Sequence, residues 1–148
     1  MAIDDDIVLL KRLDFFQVFQ TDQLRLILFA ADSRILRPNE VLFSKGDVAD
    51  EGYLLQSGLI SLSSDASIPT EFVRPGMLIG EYALLAESER ATNAVARETS
   101  RIIVFPRKLI LRLLNEYPDA ALALRQKLAL RADAFAKALD RIVANNAI

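Results

Sequence analysis

The sequence predicts a mainly β chain with helices on both flanks. Three observations lead there. All five glycines fall between Gly46 and Gly80, with Pro69 and Pro75 in the same stretch. Short β-branched and aromatic runs alternate with those turn residues. Outside that middle, apolar residues recur at helical spacing. Short strands separated this closely indicate a compact antiparallel sandwich or roll.

In chain order, residues 7–13 carry apolar side chains at helical spacing. Thr21 is read as the N-cap of a second helix over 22–31, with Asp22 and Gln23 in its first turn and Leu24, Ile27 and Leu28 on one face. Strand chemistry follows at Val41-Leu42-Phe43, Tyr53-Leu54-Leu55, residues 59–63, Glu71-Phe72-Val73, Ala94-Val95-Ala96 and Ile102-Ile103-Val104-Phe105. Ile60 and Leu62 alternate with Ser61 and Ser63, the pattern of a half-buried strand. Lys45-Gly46-Asp47, Ser57-Gly58 and Pro75-Gly76 mark turns. Residues 108–115 read as a short helix. Pro118 opens a long one reaching about Asn145, with Asp119 near its positive end.

The 148 residues are 52% apolar, ample for a packed core. No repeat or flexible linker divides them, so one domain is expected: helices over 1–37, the β region over 38–106 and helices over 107–148. Charge is unevenly placed, −7 over residues 1–96 and +5 over 97–148. The net −2 leaves no whole-chain footprint for nucleic acid. The absence of Cys and His removes disulfides, thiolate zinc, cysteine nucleophiles and the commonest general base. Carboxylates have no partner base or nucleophile, so no enzyme and no metal site is expected. The longest apolar runs, such as residues 26–31, are core-sized, far below the roughly 18 residues that span a bilayer. The first residues are acidic where a secretory signal would be basic, so a cytoplasmic protein with no membrane partner is expected.

Two segments carry the chemistry. One is Glu40-Val41-Leu42-Phe43-Ser44-Lys45-Gly46-Asp47, continued by Asp50, Tyr53-Leu54-Leu55 and Gly58. The other runs from Pro75-Gly76 through Gly80-Glu81-Tyr82-Ala83-Leu84-Leu85 to Arg90-Ala91-Thr92. Together they resemble the cyclic nucleotide-binding domain of catabolite-activator-type regulators, kinase regulatory subunits and gated channels. Gly80, Glu81, Ala83, Leu84 and Arg90 match that family's phosphate-binding cassette, including the spacing of nine from glutamate to arginine. The cassette would occupy residues 80–92. Thr92 stands where the family usually has a small residue, and Tyr82 replaces its usual Leu or Met.

The resemblance implies a double-stranded β-helix, a jelly-roll-like β-roll, with N-terminal helices and a long C-terminal helix. It implies a sensor that moves its C-terminal helices, with cAMP as the ligand and no other cofactor. The expected ligand-binding residues are Gly80, Glu81, Tyr82, Ala83, Arg90, Ala91 and Thr92. A planar guanidinium at Arg90 suits a cyclic phosphate. Backbone N–H groups opening a turn at Gly80-Glu81 suit it as well. Glu81 would repel phosphate, and the resemblance assigns it to the ribose 2′-hydroxyl. Backbone at Gly80, Ala83 and Ala91 would assist. Ala91 stands where cGMP-selective relatives tend to carry a hydroxyl, so cAMP is expected to bind better than cGMP. The alternative for Arg90 is a solvated pair with Glu87 or Glu89. The alternative function is a degenerate copy of the fold, acting as a dimerisation or interaction scaffold.

In the last helix, Ala121, Leu124, Leu128, Ala132, Phe135, Leu139 and Ile142 recur with an average spacing of 3.5. That stripe packs either on the β region or on a second copy, making a homodimer through residues 118–145. The protein effector that would receive the signal has no signature in the sequence.

Overall fold

A computed structural model describes residues 2–65, 68–69 and 71–146. Two helices, α1 (Ala2–Lys11) and α2 (Thr21–Ala30), precede ten short strands. These are β1 (Asp32–Leu36), β2 (Val41–Phe43), β3 (Val48–Ala49), β4 (Glu51–Ser57), β5 (Ile60–Ser63), β6 (Glu71–Val73), β7 (Leu78–Ile79), β8 (Ser88–Glu89), β9 (Asn93–Ala96) and β10 (Ser100–Pro106). A 3-10 turn, Tyr82–Leu84, lies between β7 and β8. Helices α3 (Arg107–Glu116) and α4 (Pro118–Asn146) follow.

Among the described residues all the strand ladders are antiparallel. One sheet runs β1-β10-β4-β7, a second runs β2-β9-β5-β6, and β3 pairs with β8 as a separate ribbon. Helices thus flank several antiparallel sheets as expected. None of these sheets, as their strands are ordered, closes on itself into a barrel or roll.

Strand alternation divides the core in two. On β4 and β10, Tyr53, Leu55, Ile102 and Val104 join Phe43, Ile60, Val73 and Ala94 from the other sheet. The residues between them, Leu54, Ile103 and Phe105, turn the other way into a cluster with the helices. There Phe16 packs on Phe15 and Phe105, each at 5.1 Å between ring centroids. A sheet covered on both faces needs apolar residues at every position, which is why residues 102–105 form an unbroken apolar run.

Four expectations are corrected. Asp32–Leu36, assigned to the helical flank, is an edge strand paired with β10. Only Leu36 of its residues is buried, so no alternation marked it. Thr21 is not the cap of α2: Gln20 is, in extended conformation, and the Gln23 side chain accepts its N–H at 3.0 Å. The first helix starts at Ala2 and ends at Lys11, earlier than its apolar spacing suggested. The polar face of β5 is not solvated, because Ser61 and Ser63 are both buried and the Ser61 hydroxyl accepts Arg97 Nε–H at 2.7 Å.

Helix α4 is two-natured. Ala120 and Leu124 are buried and Leu128 packs against the helical cluster. Beyond Leu128, every residue to Ala144 is exposed. The expected stripe therefore packs on the chain's own core in its first half, while Phe135, Leu139 and Ile142 stand in solvent.

Candidate functional site

The turn after β7, the β3–β8 ribbon and strand β2 enclose a cavity of about 380 Å³, within the range of roughly 300–1,000 Å³ usual for small-molecule sites. Gly80, Tyr82, Ala83, Arg90, Ala91 and Thr92 all line it. The topology explains why residues ten apart meet. Strand β7 delivers Gly80 to the cavity lining, the 3-10 turn follows, and β8 brings Arg90 back to it. The Arg90 backbone is fixed on both sides, its N–H donating to Asp47 O at 2.8 Å and its carbonyl accepting from Gly46 N at 2.9 Å.

The Arg90 side chain is buried, with only 7% of its surface exposed. Its Nη2 donates to the Glu51 carbonyl at 2.8 Å and to the Tyr53 hydroxyl at 3.4 Å. The guanidinium lies 4.4 Å from the Phe43 ring centroid and 5.3 Å from that of Tyr53. None of the ion pairs among the described residues includes Arg90, which excludes the surface pair with Glu87 or Glu89. A buried cation is thus held by neutral acceptors and ring faces alone. Burying a charge costs several kcal/mol unless an opposite charge joins it. Nε and Nη1 have no hydrogen-bond partner among the described residues. Nη1 lies only 2.7 Å from where a Cβ on Gly80 would stand. The site holds a guanidinium with its Nε and Nη1 donors free, beside a glycine, at a cavity.

The other expected residues divide. The Glu81 carboxylate, half-buried, accepts from Arg131 Nη1 at 2.9 Å, an ion pair reaching across to α4. The Ala83 N–H is committed to the Gly80 carbonyl at 3.1 Å, so it is taken up inside the turn. Tyr82 is exposed on the cavity rim and also lines a second hollow of about 540 Å³ against Leu128 and Arg131 of α4. Ala91 is exposed and Thr92 half-buried at the cavity wall. Glu89 and Ser88 join the lining from β8.

Sequence reading missed Phe43, Tyr53, Glu51 and Arg131. The first two lay inside the quoted motif but read as strand residues, because their role appears only when β2 and β4 face Arg90. Tyr53 also donates to Glu51 Oε1 at 2.7 Å. Burial, then that hydrogen bond and the carboxylate charge, push its phenol well above the usual range. Arg131 is fifty residues from Glu81, and no local pattern could pair them. Among the described residues no cluster of His, Cys, Asp and Glu could hold a metal ion, and no helix is long and apolar enough to cross a membrane.

Comparisons with known proteins agree with this layout. The family model described as the cyclic nucleotide-binding domain matches residues 33–117, more than half of the chain. A cyclic nucleotide-binding-like protein from Brucella abortus is 35% identical, with a TM-score of 0.71, over 75% of this chain and 98% of that one. The regulatory domain of Toxoplasma gondii PKA, crystallised with cAMP, has a TM-score of 0.69 at 20% identity, over 76% of this chain and 44% of that one. Cyclic nucleotide-gated channel beta-3 of Canis lupus familiaris is 22% identical over 86% of this chain. The chain spans only 17% of that channel's length.

Proposed function

Because the chain belongs to the cyclic nucleotide-binding domain family, which is regulatory and not catalytic, we propose that it binds a cyclic nucleotide, cAMP in preference to cGMP, in the cavity beside Gly80 and Arg90. The observation that carries this reading is the buried Arg90 guanidinium, which has no ion-pair partner among the described residues and keeps its Nε and Nη1 donors free. A cyclic phosphate supplies one compact negative charge to those donors, and the apolar wall at Phe43, Leu62 and Ile79 suits a base or sugar face. Glu81 accepts from the ribose 2′-hydroxyl. Ala91 offers no hydroxyl to guanine, which is the ground for preferring cAMP.

The output in this reading is movement of α4. A ribose reaching Glu81 has to share or displace Arg131, so occupancy changes what holds α4 to the cassette. The exposed Phe135, Leu139 and Ile142 form a seam for a second copy, and an effector protein reads the helix position. The fold reading that goes with this is a single module over residues 1–148, in which the two sheets are the walls of a double-stranded β-helix. Their shared core supports it.

A second reading is favoured by one observation: the Glu81 carboxylate is already paired with Arg131. That suits a scaffold that keeps the fold without a nucleotide. Calorimetric titration separates the two. Wild type is expected to bind cAMP more tightly than cGMP. Arg90→Ala is expected to weaken cAMP binding about 30- to 1,000-fold through lost charge-assisted hydrogen bonds. Glu81→Gln costs less, since an amide still accepts from a hydroxyl. No heat with either nucleotide at millimolar concentration would leave the scaffold in place of the sensor.

A further inference from the structure

Arg90 has five N–H donors on a flexible stem, yet the structure holds it from several directions. Two of its donors, both on Nη2, are spent on Glu51 O and the Tyr53 hydroxyl. The Phe43 ring lies 4.4 Å from the guanidinium, and the Phe43 and Tyr53 rings stack on each other at 6.1 Å between centroids. The Tyr53 hydroxyl is itself anchored. It donates its only hydrogen to Glu51 Oε1 at 2.7 Å, leaving its lone pairs for Arg90. Strands β2 and β4 supply these groups, and both belong to the sheets that share the inner core. The tethers occupy Nη2, which both forks of the guanidinium share, and leave the separate Nε and Nη1 donors free.

We propose that Tyr53 and Phe43 are positioning residues, which hold Arg90 in one orientation, with its remaining donors available to the anion before any ligand arrives. The inference rests on the binding role proposed for Arg90 and adds what prepares it. A free arginine loses rotamer entropy when it grips an anion. A guanidinium ordered in advance has already lost it, so the anion binds without that cost.

The test uses the intact protein and two conservative variants, Tyr53→Phe and Phe43→Leu. Each is titrated with cAMP by calorimetry, and the mobility of the Arg90 side chain is read from ¹⁵N relaxation of its Nε–H resonance without ligand. Tyr53→Phe keeps the ring and removes the hydroxyl, so it folds even if Phe43→Leu does not. The expected result for Tyr53→Phe is a roughly three- to tenfold weaker affinity, the size of one lost hydrogen bond. Its Arg90 Nε–H is expected to be more mobile while backbone amide spectra elsewhere are unchanged. Affinity and Nε–H mobility both equal to wild type would overturn the inference. So would weaker binding with Arg90 as rigid as before, because Tyr53 would then act by some route other than positioning. If wild type binds no cyclic nucleotide, the proposed function fails. The Nε–H measurement on the variants still decides whether these residues position Arg90.

Discussion

Gly80 is a glycine for two independent reasons. Its φ of +79° is one that L side chains rarely adopt, and a Cβ there would stand 2.7 Å from Arg90 Nη1 and 3.3 Å from Glu51 O. The first effect costs about 1 kcal/mol or somewhat more. The second matters more for function, because Arg90 is tethered and cannot swing aside without losing its bond to the Glu51 carbonyl. Gly80→Ala is therefore expected to lower stability by roughly 1–2 kcal/mol and to weaken cAMP binding as well. Thermal unfolding measures the first and calorimetry the second. A variant that is destabilised but binds normally would mean that Nη1 has room to move. At this scale the cassette spacing placed six of the seven expected residues together but not Glu81, which lines the neighbouring hollow against α4. Gly80, Tyr82, Ala83, Arg90, Ala91 and Thr92 do share one cavity wall. What lay beyond reading was the state of each group: Ala83 N–H already spent, Glu81 already paired, Arg90 propped from behind.

Helix α4 shows how one periodic stripe serves two environments. Leu124 is 3% exposed and Phe135 is 74% exposed, although both lie on the same 3.5-residue seam. Leu124→Ala is expected to cost about 2–5 kcal/mol, since it opens a cavity in the helical core. Phe135→Asp removes little intrachain packing and is expected to change folding stability of the single chain by less than about 0.5 kcal/mol. If the exposed half joins two copies, that same variant is a folded monomer where wild type is a dimer. Light scattering and thermal unfolding read both outcomes together. A wild type that stays monomeric at high micromolar concentration would remove the dimer seam. The Glu81–Arg131 pair, about half exposed, contributes little to stability. Its place at the cassette is what makes it relevant to α4.

Across the whole molecule, β4 and β10 are the shared wall of the two cores. Both lie inside their sheet, and most of their residues are buried. Opening either strand exposes apolar surface on two faces at once, so their amides are expected to exchange with solvent most slowly. Hydrogen exchange by NMR checks this. Stronger protection in the far half of α4 than in these strands would contradict it. Strands such as β10 were legible because burial on both faces demands a continuous apolar run. The long helices were legible because periodicity, Pro118 and the turn residues mark them locally. Edge strand β1 and the ribbons β3 and β8 were not, since short exposed strands are held by ladder bonds to distant segments and carry no pattern of their own. By itself, the sequence determined the helix–strand–helix order, the absence of thiol and imidazole chemistry, and the cassette that carries Gly80 and Arg90. Only the tertiary structure decided that Arg90 turns inward onto Phe43 and Tyr53, that Arg131 reaches Glu81, and that α4 is half core and half free surface. Those outcomes depend on which distant faces meet, and a contact between residues 39 or 50 positions apart leaves no trace in local spacing.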